Sequence, residues 1–210
     1  MQVLQLAPQA IAGVAVTQSP EGLDVIHEPS CAGVIWNRQP LSDFQSWIAS
    51  LDPNQLPSTR MVLRPHAVLE AVSIACDTAK MPVCKERMQL VDDIAALASI
   101  FANVMSAPYL RLRLACVQTN ACRKFHLDAI TARLICTYRG PGTQYGVSHD
   151  GADPKKVFAT PRCAPILLRG TAWPEQPAFG LLHRSPPIEG TSITRFVLVL
   201  DPVFDLDDKT

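Results

Sequence analysis

The sequence has no excess of charge of either sign and no apolar run long enough to cross a membrane. Its 19 lysines and arginines are matched by 19 aspartates and glutamates, so no global charge points to a nucleic acid or an anionic membrane. A membrane helix needs roughly 20 consecutive apolar residues, and the sequence contains no such run. We therefore expect a small-molecule or protein substrate, with neither nucleic-acid nor membrane partners.

Cysteine pairs at disulfide or metal-binding spacings are also missing. The chain has seven cysteines, an odd number, and no C-x-x-C, so no disulfide framework is indicated. Cys76 and Cys136 lie in apolar runs, where cysteine behaves as a small buried hydrophobe. No lysine or arginine precedes Arg38, so the first residues lack the positive region of a signal peptide. These features predict a cytoplasmic protein.

Two common catalytic motifs are absent. The chain has no G-x-S-x-G and no G-x-x-x-x-G-K-[ST], so neither a serine hydrolase nor a nucleotide enzyme is indicated. The composition, 48% hydrophobic and 18% charged over 210 residues, is typical of a folded globular protein. This length suffices for one sizeable domain, or for a core with a helical annexe.

Helical periodicity dominates the first half of the chain. Ser42 is a suitable N-cap for a helix that Pro53 ends. A second helical pattern covers residues 68–78. The longest covers residues 85–106, where apolar side chains recur at three- and four-residue steps. We predict that residues 1–107 form a mainly helical region within the same compact unit as the rest.

Short strands dominate the second half, residues 108–210. Turn signals separate them at Gly140-Pro141-Gly142, Asp150-Gly151 and Pro186-Pro187. Such punctuation favours a sandwich or barrel with helices on its outside. The last strand is apolar at almost every position, so we expect it to be covered on both faces. The candidate strands are 109–117, 133–138, 164–169, 179–182 and 194–200.

The sharpest local feature is Lys124-Phe125-His126-Leu127-Asp128. Alternate side chains of an extended chain share a face, so His126 and Asp128 point the same way. An imidazole and a carboxylate then converge with room for an ion between them. An isolated H-x-D is weak evidence, because it occurs by chance in many proteins.

Two later residues strengthen this pattern. His183 ends the apolar segment Gly180-Leu181-Leu182, and Arg195 lies 12 residues further on, near the start of the last strand. In that strand Arg195 shares a face with Val197 and Val199. An arginine that points into an apolar interior is costly unless it meets an anion, and its planar fork fits a carboxylate best.

Two histidines and one carboxylate form the facial triad of non-haem iron(II) oxygenases, which leaves coordination positions open. In this sequence an H-x-D motif is followed by a distant histidine and then by an arginine. This order resembles that of 2-oxoglutarate-dependent iron(II) dioxygenases. The resemblance implies an α+β chain whose second half is a double-stranded β-helix, a cupin-like jelly roll, with the helical region packed on it. It implies that His126, Asp128 and His183 bind Fe(II) and that Arg195 binds the distal carboxylate of 2-oxoglutarate, for the hydroxylation of a substrate.

Four longer segments carry a second resemblance: CRKFHLD, RLICTYRGPGT, LLRGTAWP and LLHRSPPIEGT. They are similar to segments of an uncharacterised bacterial family, domain of unknown function 1826. Members of that family encoded near zinc-homeostasis genes imply an alternative, a non-catalytic cupin-like protein that senses or stores zinc. The metal is therefore open between iron and zinc, because such ligands accept several divalent ions.

Further residues are candidates for binding the cosubstrate. Val197 stands where the dioxygenases commonly have a hydroxyl residue, a departure that concerns the cosubstrate rather than the metal. Arg184 is an alternative anion-binding residue. Tyr138 follows the alternation of His126 if the backbone between them is regular, and it would then donate a hydrogen bond to 2-oxoglutarate. The Arg139–Thr143 segment reads as a tight turn at the lip of the pocket.

Two further features of the sequence, a cluster of basic residues and the positions of the cysteines, allow additional interpretations. Residues 111–139 contain six basic side chains against one acid, Asp128, which suits either an anionic cosubstrate or substrate, or solvated outer faces of strands. A competing zinc site would combine Cys122 and His126 with Cys116 or Cys163. The remaining histidines are expected at the surface; they are His27, His66 and His149.

Overall fold

The structure, a computed structural model, describes residues 11–40, 42–120, 122–148, 152–175 and 180–206. The predicted turn at Asp150-Gly151, and His149 and Phe179, lie outside these ranges, as do the first ten residues. The α-helices are α1 Ser42–Ser50, α2 Val68–Thr78 and α3 Lys85–Met105. Three 3-10 helices cover Pro20–His27, Pro53–Gln55 and Pro65–Ala67. The strands are β1 Val14–Thr17, β2 Gly33–Trp36, β3 Thr59–Leu63, β4 Tyr109–Val117, β5 Ala132–Arg139, β6 Gln144–Ser148, β7 Phe158–Ala159, β8 Ile166–Arg169, β9 Gly180–Arg184 and β10 Arg195–Val203.

The three predicted helices are confirmed almost to the residue. The apolar periodicity of α3 buries one whole side of that helix, which contacts β4 and β10. Ser106 then adopts a left-handed conformation, with φ 50°, and ends the helix. By length and composition alone α3 could cross a membrane. The core helix of a globular domain has the same properties, and α3 is packed as one.

The strands form two sheets. The larger has seven strands in the order β1-β2-β8-β5-β10-β4-β3, and the smaller has three in the order β7-β6-β9. Neighbouring strands are antiparallel, apart from the parallel pair of β1 and β2. An isolated bridge between His126 and His183 extends the small sheet beyond β9. The molecule is therefore a mixed α and β fold with one large sheet.

The N-terminal half is less helical than its pattern predicts. Three strands, β1, β2 and β3, lie between residues 14 and 63 and join both edges of the large sheet. Each has only four or five residues, too few for a clear alternation. Their pairing partners, β8 and β4, lie in the second half of the chain. The described residues between 11 and 107 therefore complete the sheet as well as cover it.

The large sheet separates two apolar layers. The layer between sheet and helices contains Leu112, Leu134 and Leu198, and the layer between the two sheets contains Ile135 and Val197. Successive side chains of β5 and β10 thus enter different layers, as strand alternation requires. This confirms that the last strand is covered on both faces. The metal-ligand candidates lie on the side of the small sheet.

Candidate metal centre

The two histidines of the predicted site are held together by backbone hydrogen bonds. The amide of His126 donates to the carbonyl of His183 and the amide of His183 donates to the carbonyl of His126, both over 3.0 Å. Residues paired in this way project their side chains from the same face. The imidazole centroids are 4.5 Å apart. A 57-residue separation in sequence therefore becomes a direct contact.

Asp128 completes the cluster from the same extended segment. Its Oδ2 lies 3.1 Å from Nε2 of His183, and its Oδ1 lies 3.6 Å from Nε2 of His126. One ligand atom from each of the three residues lies within 4.8 Å of the others. The face that alternation predicts for His126 and Asp128 is thus the face that meets β9.

Glycine at position 170 keeps the Asp128 segment in place. The amide of Thr171 donates to the carbonyl of Asp128, and the amide of Gly170 donates to the carbonyl of Thr131. A Cβ on residue 170 would overlap the carbonyl oxygen of Ile130 and approach that of Asp128 to 2.8 Å. Because glycine has no side chain, the loop after β8 can pack directly against the backbone of the segment that carries the Asp128 carboxylate.

His126 is oriented for binding through Nε2. Its Nδ1 lies 2.9 Å from the backbone carbonyl of Lys124, which can only accept a hydrogen bond. Nδ1 therefore carries a proton, and Nε2 faces the cluster. Such a bond from the distal nitrogen is the usual support of a metal-bound histidine.

Burial and charge decide the protonation of the other two residues. Burial would raise the pKa of Asp128, but the imidazole of His183 and the guanidinium of Arg133 hold this pKa below its usual value. Arg133 donates to Oδ1 of Asp128 over 2.5 Å and also binds Asp201. Burial lowers the pKa of His183. The site thus presents an anionic carboxylate beside a neutral imidazole, the forms that bind metals.

Two buried atoms of the cluster have no hydrogen-bond partner among the residues that the structure describes. They are Oδ2 of Asp128 and Nδ1 of His183. A buried carboxylate oxygen left unsatisfied is costly, and a divalent cation bound by the cluster would satisfy it. The donor set of two imidazoles and one carboxylate therefore fits a first-row divalent metal.

Arg195 lies in the same narrow cavity, of about 70 Å³, as His126 and His183. The side chains of Val197 and Val199 line it as well, so the predicted shared face of the last strand is confirmed. Gly140, in the turn between β5 and β6, lets the backbone there pack closely against Thr194 and Arg195. Its φ is +81°, and a Cβ there would lie 2.8 Å from the carbonyl oxygen of Thr194.

Arg195 is 3% exposed and contacts only neutral oxygens among the described residues. It donates to the carbonyl of Pro141 and to the hydroxyls of Thr137, Thr143 and Ser185. Burial lowers its pKa to about 10. A buried guanidinium without a counter-charge is unfavourable, so this end of the cavity favours an anion.

These three hydroxyl residues were not predicted as site residues. Thr137 follows Arg133 and Ile135 in the alternation of β5, and Thr143 belongs to the predicted lip of the pocket. Ser185 immediately follows β9. They surround the guanidinium, to which Val197 offers no hydroxyl group. Only the meeting of three separate segments brings them together.

The prediction for Tyr138 is wrong. The chain between Asp128 and β5 is not a regular strand, so the alternation of His126 does not carry through to β5. Tyr138 lies on the helix side of the large sheet, where its hydroxyl donates to Asp93 over 2.7 Å. It lines a different cavity, of about 270 Å³, with Arg38.

Arg184 lies at the rim of the metal cavity. Its Nε donates to Gln144 over 2.7 Å, and its guanidinium lies 4.3 Å from the ring centroid of Phe125. It is a neighbour of His183 in β9, so its side chain leaves from the opposite face. Arg195 is therefore the more deeply placed of the two arginines.

The thiolate zinc site is not found among the described residues. Among the described residues, one group of three side chains could hold a metal ion: His126, Asp128 and His183. Cys122 is exposed near it, whereas Cys163 lies on the helix side of the sheet. All seven cysteines are free. The other described histidines are exposed, as predicted; they are His27 and His66.

The family is decided by a match over most of the sequence. The model described as "Protein of unknown function (DUF1826)" matches residues 17–201. The chain belongs to the DUF1826 family. This confirms the resemblance inferred from its four longer segments. No curated protein matches the chain in sequence.

Solved structures resemble this DUF1826 chain in fold. One is dioxygenase for auxin oxidation 1 from Arabidopsis thaliana in a complex with 2-oxoglutarate. It is 10% identical, with 94% of each chain covered and a TM-score of 0.56. Another is the dioxygenase for auxin oxidation of rice, 12% identical, with 94% of this chain and 85% of that chain covered and a TM-score of 0.52. At these identities the likeness establishes an oxygenase-like fold.

Proposed function

We propose that the protein is a non-haem iron(II), 2-oxoglutarate-dependent oxygenase. His126, Asp128 and His183 bind the metal in this proposal, and Arg195 binds the distal carboxylate of 2-oxoglutarate. One observation carries it: two members of a three-residue metal-ligand cluster, His126 and His183, line the same cavity as a buried arginine that has no anionic partner among the described residues. A dicarboxylate long enough to reach both ends of the cavity would bind the metal at one end and supply an anionic partner to Arg195 at the other.

The order of the strands supports a double-stranded β-helix for residues 108–210. Along the chain, β4 lies in the large sheet, the His126 segment pairs with the small one, β5 returns to the large one and β6 to the small one. After β7, the strands β8, β9 and β10 alternate again. Four strands then stand side by side as β4-β10-β5-β8. Wrapping of this kind is typical of a jelly roll.

The protein's own residues prepare the cavity for an anionic cosubstrate. Arg195 supplies the positive charge, and the hydroxyls of Thr137, Thr143 and Ser185 can turn to donate to a bound carboxylate. They thereby replace the hydroxyl that Val197 does not provide. The valines on β10 keep this end of the cavity apolar, which strengthens the ion pair by excluding water.

Around the metal the chain supplies ligands and their orientation. The carbonyl of Lys124 selects the tautomer of His126, and Arg133 holds the carboxylate of Asp128 ionised. The metal, when bound, supplies open coordination positions for 2-oxoglutarate and oxygen. Likeness in fold to a dioxygenase whose structure contains 2-oxoglutarate agrees with this assignment.

A spectroscopic experiment tests the proposal without knowledge of the substrate. Fe(II) and 2-oxoglutarate, added to the protein without oxygen, should give a visible charge-transfer band. His126→Ala should abolish the band, whereas His66→Ala, at an exposed histidine outside the cavity, should retain it. Tight stoichiometric binding of zinc without any such band would contradict the oxygenase and favour a non-catalytic metal-binding protein.

A further inference from the structure

Two arginines face each other across the outermost strand pair of the large sheet. Arg60 of β3 is the direct cross-strand partner of Arg113 of β4, and both side chains are exposed. Directly opposed residues project from the same face, with Cβ atoms about 4.5–5.5 Å apart. Like charges in this arrangement destabilise a sheet. The pair is therefore unfavourable unless an anion lies between the guanidinium groups.

No acidic side chain in the described part of the chain offsets this repulsion. Neither Arg60 nor Arg113 forms an ion pair with a described residue. Arg133, on the same face of the sheet, contrasts with them because it binds both Asp128 and Asp201. The chain has equal numbers of acidic and basic residues, so the unpaired arginines do not result from a basic composition.

The pair lies in a groove that adjoins the metal cavity. Arg113 and Val117 line both the cavity of His126 and a neighbouring groove of about 560 Å³. Arg60 lines the groove together with Ser58. Sites for small ligands typically have volumes of about 300–1,000 Å³. A molecule in this groove would touch side chains that also form the wall of the metal cavity.

We propose that the primary substrate is a small organic acid whose carboxylate or phosphate group binds between Arg60 and Arg113. This inference rests on the proposed oxygenase function. The two anion sites then have separate roles: buried Arg195 binds the cosubstrate, and the exposed pair binds the substrate and directs the rest of it towards the metal. Guanidinium forks bind both kinds of oxyanion in two-point contacts.

A small ligand fits the groove better than a nucleic acid does. Nucleic-acid surfaces neutralise many phosphates along a basic stripe, whereas Arg113 has a single unpaired arginine opposite it. The exposed neighbour of Arg60 on the same side of β3 is Val62, an apolar residue. Arg111 shares the face of Arg113 on β4, but Asp201 lies directly opposite it on β10. The unpaired charge in this groove is therefore concentrated at Arg60 and Arg113, as the recognition of one acidic group requires.

Binding is measured by calorimetry on the full chain without iron, 2-oxoglutarate or oxygen. The probes are phenylacetate, phenyl phosphate and the neutral phenylacetamide, which share a ring and differ in charge. We expect the better acid to bind at least tenfold more tightly than the amide, and its chemical class then identifies the preferred anion. Arg60→Gln and Arg113→Gln should remove this preference, and Arg162→Gln, at an exposed arginine outside the groove, should retain it.

Each result supports or overturns the proposal. Equal binding of acids and amide overturns it, as does a preference that survives in both groove variants. Displacement of the acid by a short single-stranded oligonucleotide that binds more tightly through the same arginines also overturns it. If the charge-transfer band forms but the acids bind no better than the amide, the oxygenase proposal stands and the anion site in the groove is rejected. If the acids bind preferentially but no band forms, the anion site stands and the oxygenase proposal is rejected.

Discussion

His126 and His183 exchange two backbone hydrogen bonds of 3.0 Å, although the residues around His126 form no regular strand. The metal cluster therefore depends on one isolated bridge and on the clamp formed by the loop after β8. Both lie between segments that are distant in sequence. This construction leads to specific expectations for residues that would never contact the metal.

Arg133 should control metal affinity through Asp128. Arg133→Gln removes the guanidinium that holds the carboxylate ionised and in place, and supporting partners of metal ligands typically contribute 10–100-fold in affinity. We expect a loss of that size in a competition titration with Fe(II). Arg133→Lys keeps the charge but cannot bridge Asp128 and Asp201, so its affinity should be intermediate. Unchanged affinity in the glutamine variant would contradict this role.

Arg195 should be required for 2-oxoglutarate and dispensable for the metal. A ligand present at 100 times its Kd stabilises a protein by about 2.7 kcal/mol, or roughly 5–10 °C in Tm for a chain of this size. We expect this shift for metal-loaded wild type and little of it for Arg195→Gln. Arg184→Gln is the matched control at the rim. If Arg184→Gln lost the shift and Arg195→Gln kept it, the assignment would be reversed.

Gly170→Ala should damage the metal site from outside it. The added methyl group would collide with the backbone of Ile130 and approach that of Asp128, and overpacking of this kind costs about 1–3 kcal/mol. We expect a lower free energy of unfolding together with weaker metal binding. Gly190→Ala is the control: the φ of +78° at Gly190 also disfavours a side chain, but no atom of the described residues lies within 4 Å of the new Cβ. That variant should lose some stability and bind metal normally.

Cys122 should be the most reactive thiol. Burial raises the pKa of Cys76 to about 11 and that of Cys163 to about 12, so these two thiols contain almost no thiolate at pH 8. Cys122 is exposed at the mouth of the metal cavity. Iodoacetamide at pH 8, followed by peptide mapping, should label it first, and Cys122→Ser should remove this fast phase. Early labelling of Cys163 would show that the helix side opens more readily than its burial suggests.

Removal of one arginine of the groove should stabilise the metal-free protein. Arg60→Thr ends the repulsion with Arg113 and places a residue that favours strands in β3. We expect a gain of about 0.5 kcal/mol, or roughly 1–2 °C in Tm, measured by thermal unfolding at low salt. The difference from wild type should shrink as salt screens the exposed charges. A variant less stable than wild type would show that the pair is not in repulsion.

Short-range periodicity in the sequence determined much of this protein. Apolar residues at three- and four-residue steps mark all three helices, and a period of two places Arg195, Val197 and Val199 in one cavity. The same period explains why His126 and Asp128 share a face. These features depend on neighbours a few residues apart, so they can be inferred without knowledge of the fold.

Only the tertiary structure decided how separate segments meet. Tyr138 was misplaced because an irregular stretch before β5 breaks the alternation that links it to His126. The hydroxyls of Thr137, Thr143 and Ser185 come from three segments, and their convergence on Arg195 follows from the order of the strands. The opposition of Arg60 and Arg113 depends on the register of β3 and β4. Register and strand order depend on contacts between distant residues, on which local periodicity carries no information.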